Sequence, residues 1–170
     1  MNAPETLRFT PDEVLQGKCD HEAGHYVALL ATGLRHTLDY ISVEKSKSAG
    51  GSICYSPLET PTLEQYAIIA MGGLAAAIEG EFRRRGIDEY HPDANIIILC
   101  CEEASGDDFD LLVKTYSQPK EDFYPYLARA TDIIRERWNL VEAISSELKS
   151  HRRLSCDEVK LIVDHFNRSA

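Results

Sequence analysis

The stretch from Thr10 to Gly33, TPDEVLQGKCDHEAGHYVALLATG, contains both the boundaries of a helix and its reactive side chains. Thr10 can cap a helix, Pro11 suits the first helical position, and Glu13 completes a capping box. Gly33 is typical of the residue just past a helix C-terminus. The pattern therefore predicts a helix from Pro11 to about Thr32.

The motif His21-Glu22-Ala23-Gly24-His25 lies near the middle of this helix. Residues four apart share a helix face, so the two histidines can hold one metal ion, typically Zn²⁺. Glu22 is turned about 100° around the axis, which lets it act as a general base toward a metal-bound water without being a ligand. The spacing is the H-E-x-x-H pattern of zinc metallopeptidases. The alternative, a chance pair of histidines on an exposed face, is disfavoured because three fixed residue types seldom coincide.

Composition narrows the class of protein. The chain has 170 residues, of which 44% are hydrophobic, and this suits one domain. We expect a single unit over residues 1–170, with a core of about 10–117 and C-terminal helices at about 119–167. The net charge of −10 argues against a nucleic-acid partner and against binding to an anionic membrane surface.

Cysteine usage and the apolar runs bear on location. The five cysteines form no CxxC pair, which argues against a disulfide framework and indicates a reducing compartment. Residues 1–10 have neither a basic leader nor an apolar run, and the longest apolar run, residues 67–78, is too short to span a bilayer. The sequence thus predicts a soluble, cytoplasmic protein without a membrane segment.

A β-hairpin follows the first helix. Strands are predicted from Leu38 to Val43 and from Gly51 to Tyr55, joined by a polar turn over residues 44–50. A hairpin edge beside a metal could pair with an extended substrate. A purely structural hairpin is the equally weighted alternative.

The remainder reads as helices. A buried helix begins at Thr60 or Thr62 and ends before Gly86, and its Gly72-Gly73 pair allows a second helix to approach closely. Further helices are predicted over residues 92–101, from 107 onward, and over 119–137, 140–151 and 155–166. The fold class is mainly α with a small β-hairpin, and the last helices are expected to form a C-terminal helical sub-bundle.

A catalytic zinc site needs a third protein ligand. The acidic residues downstream of the motif are the candidates, namely Glu102, Glu103, Asp107, Asp108 and Asp110. Asp107 and Asp108 also fit as N-terminal charges of a helix, which is the preferred interpretation for those two.

Several segments in order resemble the peptidase domain of the FtsH family. They are the His-Glu-Ala-Gly-His motif, Ile41-Ser42-Val43, Met71-Gly72-Gly73-Leu74-Ala75-Ala76 and Gly106-Asp107-Asp108-Phe109-Asp110-Leu111. The resemblance spans about residues 12–116. It implies a zincin-like helical metallopeptidase that hydrolyses peptide bonds, with Zn²⁺ held by His21, His25 and Asp110 and with Glu22 as the catalytic base.

The chain departs from the family at several positions. It has no G-x-x-x-x-G-K-[ST] phosphate loop, and residues 86–103 look like an insertion. Leu74, Ala77, Ile78 and Phe109 replace polar family residues. The expected substrate is a peptide or unfolded protein, and the expected partners are further copies of the chain or a separate ATPase. The alternative function is a non-catalytic, protein-binding or regulatory module.

Overall fold

Helices dominate the chain, as the sequence predicts. The computed structural model describes residues 9–44 and 51–169. In chain order the elements are α1 (Pro11–Ala31), β1 (His36–Ser42), β2 (Ser52–Pro57), α2 (Leu63–Arg85), α3 (Ala94–Ala104), α4 (Gly106–Tyr116), a 3₁₀ turn (Lys120–Phe123), α5 (Tyr124–Glu136), α6 (Trp138–His151), β3 (Arg153–Ser155) and α7 (Cys156–Ser169).

The ends of α1 follow from its sequence. The Glu13 amide donates to Oγ1 of Thr10 at 3.2 Å, and the Thr10 amide donates to Glu13 Oε2 at 2.7 Å. This reciprocal pair satisfies two backbone donors that have no partner inside the helix. At the other end, Gly33 has a φ of 68°, a conformation that glycine adopts without steric cost. The predicted capping box and stop are both confirmed.

Helices α1 and α2 cross with their backbones in contact. A Cβ atom on Gly24 would lie 2.3 Å from the carbonyl oxygen of Gly72, and a Cβ atom on Gly72 would lie 2.5 Å from Cβ of Ala28. Only glycine fits at this crossing. The close approach brings the histidine pair of α1 directly against α2.

The predicted hairpin is part of a three-stranded antiparallel sheet in the order β2-β1-β3. Ile41 of β1 pairs with Ile53 of β2 on one side and with Leu154 of β3 on the other. The sequence does not predict β3, because three residues between two helices are too few to show strand alternation. Strand β1 is therefore central, and β2 lies at an edge. Most of the predicted turn, residues 45–50, lies outside the described residues.

The predicted C-terminal sub-bundle does not form as a separate unit. Helix α5 packs mainly on α2, α6 packs mainly on α1, and α7 lies against α6, β1 and β3. Buried side chains from all these layers, including Leu29, Leu74, Ile134 and Val159, belong to one hydrophobic core. The apolar faces of α5 and α6 are buried more fully against the two long helices than against each other.

Among residues 9–44 and 51–169, no helix is both long and apolar enough to cross a bilayer. Of residues 1–10, on which the predicted absence of a leader rests, residues 1–8 lie outside the described residues.

Candidate metal centre

His21 and His25 of α1 converge with Asp108 of α4. The two Nε2 atoms lie 3.0 Å apart, and Oδ2 of Asp108 lies 3.1 Å from Nε2 of His21 and 3.4 Å from Nε2 of His25. In the described part of the chain, these three residues form a group able to hold a metal ion. The helical i,i+4 spacing aligns the imidazoles, and the position of α4 supplies the carboxylate.

Second partners determine which ring nitrogens face the centre. Nδ1 of His25 lies 2.8 Å from the carbonyl oxygen of Ile69 on α2. A carbonyl can only accept, so Nδ1 carries a hydrogen, and Nε2 is the nitrogen that can present a lone pair to a metal once it is deprotonated. Nδ1 of His21 lies 3.3 Å from Oγ of Ser105, at the junction of α3 and α4. Both imidazoles are thus held on the side remote from Asp108.

The three converging atoms fit a cation. Oδ2 of Asp108 is buried and forms no well-aligned hydrogen bond, although it lies near two imidazole nitrogens. A buried oxygen without a donor is costly unless a cation satisfies it. Zinc bound at about 2.0–2.1 Å in tetrahedral geometry holds its ligands about 3.3 Å apart. The distances between the three atoms match that separation, and two imidazoles with one carboxylate are a common catalytic ligand set for zinc.

Electrostatic coupling within the cluster is strong. Burial disfavours the charged form of His25, but the Asp108 carboxylate outweighs burial and raises the pKa of His25 to about 9. Burial also disfavours the charged form of Asp108, yet the neighbouring His25 and His21 hold the pKa of that carboxyl well below its ordinary value. Without a metal, the cluster therefore favours an ionised Asp108 carboxylate beside a protonated imidazole.

Two glycines shape the space around the motif. A Cβ atom on Gly73 would lie 2.5 Å from Nε2 of His25 and 2.7 Å from Cε1 of His21. A Cβ atom on Gly51 would lie 2.5 Å from Oε1 of Glu22. Gly73 was predicted to admit a neighbouring helix, and its contact is with the two imidazole rings of that helix.

Glu22 lies beside the three-residue cluster but is not part of it. Its side chain is buried, and burial raises the pKa of the carboxyl group above its ordinary value. A raised carboxyl pKa suits a group that must accept a proton and later release it. Its position one residue after His21 turns it toward the neighbouring cavity.

An open cavity of about 640 Å³ gives access to the centre. Its walls include His21, Glu22, His25 and Asp108, and the edge strand β2 contributes Ile53 and Tyr55. A cavity of this size accepts several residues of an extended peptide or a small molecule.

The opposite side of α1 is fixed by a buried polar network. Asp20 is 1% exposed, accepts a hydrogen bond from Ser145 at 2.5 Å, and pairs with Arg84 at 2.5 Å. Gln16 donates to both Asp20 and Ser145. Helices α2 and α6 therefore hold α1 immediately beside its first histidine, which limits movement of the histidine pair.

The third member of the cluster differs from the residue that the family resemblance implies. Asp110 is exposed, whereas Asp108 faces the histidines. Two residues correspond to about 200° around a helix, so Asp108 and Asp110 cannot face the same site. The other open candidates, Asp107 and Glu103, are exposed at the cavity wall. Of the predicted candidates, Asp108 is thus the one that the structure brings next to the two histidines.

A sequence signal for Asp108 exists. Leu112, one helical turn after Asp108, is apolar and completely buried, whereas Lys114, one turn after Asp110, is charged and exposed. Helical periodicity of the apolar residues therefore places Asp108 on the inward face. The hydrogen-bonding partners Ser105 and Ile69 have no comparable signal, since their roles arise from packing between distant segments.

Comparison with protein-family models and with curated proteins found no match for the chain.

Proposed function

We propose that the protein is a zinc-dependent metallopeptidase of the FtsH type, with His21, His25 and Asp108 as zinc ligands and Glu22 as general base. The observation that carries the proposal is the buried Oδ2 of Asp108, which lies near two imidazoles without a well-aligned hydrogen bond, with Glu22 beside them in an open cavity. The sequence motif supports the same reaction class independently, because it has a carboxylate next to the first ligand.

The chain's own residues have separate roles. The chemistry that bound zinc supplies is a water pKa lowered to about 7 and a polarised peptide carbonyl. Glu22 accepts the proton of the attacking water and passes it to the leaving amine nitrogen. Its buried position, in contact with Gly51, limits rotation of the carboxylate. His25 is oriented by the Ile69 carbonyl, which keeps the same nitrogen directed at the centre.

The substrate class follows from the cavity. Strand β2 is at an edge of the sheet and contributes Ser52, Ile53 and Tyr55 to the cavity wall. An extended peptide can pair with such an edge through main-chain hydrogen bonds. We therefore infer that the substrate is a flexible peptide or an unfolded segment that adds as a strand.

A single substitution tests the enzyme proposal. Glu22→Gln keeps the shape of the side chain and removes the base, so peptide hydrolysis should fall by about 10²–10⁴-fold with zinc content unchanged. Glu103→Gln, at an exposed glutamate on the same cavity wall, is the matched control and should retain near-normal hydrolysis. Initial rates on an unfolded protein substrate and metal content per chain are the measurements.

The same experiment addresses the non-catalytic alternative. Leu74 and Phe109, two of the departures from the family pattern, are both buried core residues. Their change in polarity is therefore explained by packing and does not itself indicate lost catalysis. Full zinc occupancy with hydrolysis equal in wild type and Glu22→Gln would reject the enzyme proposal and favour a binding module.

A further inference from the structure

The hydroxyl of Ser105 has an unusual position for a serine at a helix N-terminus. Ser105 precedes α4, where a serine hydroxyl ordinarily accepts a backbone hydrogen bond from the first turn. Here no side-chain capping bond forms, although Ser105 is buried. Its Oγ lies 3.3 Å from Nδ1 of His21 instead. The hydroxyl therefore contacts the histidine and does not cap the helix.

The two histidines are held by different kinds of partner. Nδ1 of His25 faces the main-chain carbonyl of Ile69, whereas Nδ1 of His21 faces the side chain of Ser105. A metal-binding imidazole commonly donates its other ring N–H to such a partner, which fixes the tautomer and the ring orientation. Of these two partners, only the Ser105 hydroxyl can be removed by a substitution, because the Ile69 carbonyl belongs to the main chain.

Ser105 also shares a segment with the carboxylate of the centre. Asp108 is three residues further on, and its amide donates to the Ser105 carbonyl at 3.1 Å. Residues three apart in a helix lie on the same face. The junction between α3 and α4 thus positions both Asp108 and the Ser105 hydroxyl that contacts His21.

We propose that Ser105 is a positioning residue of the metal centre, whose hydroxyl accepts the Nδ1 hydrogen of His21 and so directs Nε2 toward the ion. The inference rests on the proposed function, since it needs His21 to be a ligand. It concerns metal affinity and ring orientation, which can be measured without any peptide substrate.

The first test is zinc affinity by chelator competition. Ser105→Ala removes the hydroxyl and adds no atoms, and it should weaken zinc binding about 10–100-fold, the usual effect of losing a partner of a metal-binding histidine. Ser42→Ala is the matched control, because Ser42 is also buried but its hydroxyl faces the Arg152 carbonyl. The control should bind zinc as the wild type does.

The second test is nitrogen-15 NMR of the histidine rings in the zinc-loaded protein. Wild type should show hydrogen-bonded Nδ1–H signals from both His21 and His25. In Ser105→Ala the His21 signal should move or be lost to exchange with water, while the His25 signal, bound to the Ile69 carbonyl, stays as an internal reference. A merely structural role for Ser105 would not affect one ring selectively.

The outcomes separate this inference from the proposed function. Zinc affinity within twofold of wild type, or a His21 signal insensitive to the loss of the hydroxyl, would overturn the role of Ser105. So would the absence of a hydrogen-bonded His21 Nδ1–H in the zinc-loaded wild type. Failure of the wild type to bind zinc would overturn the metal centre itself. Zinc binding and NMR as expected, without peptide hydrolysis, would reject the enzyme and support Ser105.

Discussion

Gly73 of α2 faces His25 of α1 so closely that a Cβ atom at Gly73 would lie 2.5 Å from Nε2 of the histidine. This is far inside van der Waals contact, and the atom concerned is the one that faces Asp108. The space for the imidazoles is therefore set by the absence of a side chain on the neighbouring helix.

Gly73→Ala should accordingly impair the metal centre. The added methyl group must displace one or both rings, so we expect zinc affinity to fall at least tenfold in chelator competition. Gly17→Ala is the matched control, since Gly17 is also in a helix and a Cβ atom there meets nothing within 4 Å. The control should bind zinc normally and unfold at slightly higher denaturant, because alanine favours a helix by up to about 1 kcal/mol. Equal zinc affinity in both variants would contradict the geometry.

Asp108→Ala and Asp110→Ala form a second matched pair. Removing Asp108 takes away a group placed between the two histidines, so bound zinc should be largely lost. Removing the exposed Asp110 should leave zinc content unchanged. Metal analysis of both proteins, purified without a chelating tag, is the measurement. Loss of zinc in the Asp110 variant alone would restore the assignment implied by the family resemblance.

Zinc binding should release a proton. In the metal-free protein the Asp108 carboxylate raises the pKa of His25 to about 9, against the opposing effect of burial. Zinc must displace this proton from His25. The affinity of the protein for zinc should therefore rise about tenfold per pH unit up to about pH 9 through the titration of His25. Asp108 is already ionised in this range, since the histidines lower its pKa. Affinity that is independent of pH between 7 and 8.5 would show that His25 is neutral there.

The same coupling makes the stability of the metal-free protein depend on pH. A pKa raised on folding stabilises the native state below the ordinary histidine value of about 6.5, and this contribution is lost as the pH rises through about 9. The lowered pKa of Asp108 has the opposite pH dependence. Its contribution to the free energy of unfolding is present above about pH 4, the ordinary value for an aspartate, and is lost as the pH falls further. Urea unfolding of the metal-free protein should therefore show lower stability at pH 9.5 than at pH 6.5. His25→Gln should reduce that difference.

The polar network behind α1 should contribute strongly to stability. Asp20→Ala removes one of the two buried carboxylates that pair with Arg84, the other being Glu81, and takes away the acceptor of Ser145. Leaving buried donors without an acceptor costs about 1–3 kcal/mol. Asp12→Ala is the control, because Asp12 pairs with Lys149 at the surface and such pairs contribute at most about 1 kcal/mol. Chemical denaturation measures both. Similar losses in the two variants would show that the Asp20 network is not a structural anchor.

Local signals in the sequence determined much of the helical framework. The capping box at Thr10, the helix start at Thr60 or Thr62, and the stops at Gly33 and Gly86 predict α1 and α2 to within a few residues. These signals act between near neighbours, so they need no tertiary context. The His-Glu-Ala-Gly-His motif likewise places two imidazoles on one face through helix geometry alone.

Only the tertiary structure decided what meets those imidazoles. The choice of Asp108 over Asp110, the support from Ser105 and Ile69, and the clearance at Gly73 depend on how α2 and the junction of α3 and α4 pack on α1. Strand β3 was not predicted because three residues are too few to show strand alternation. The packing of α5 and α6 on the two long helices could not be predicted either, because it depends on the complete hydrophobic core. A short motif specifies relative positions within one helix, whereas the carboxylate that meets the two histidines and the orientations of their rings depend on contacts between segments far apart in the chain.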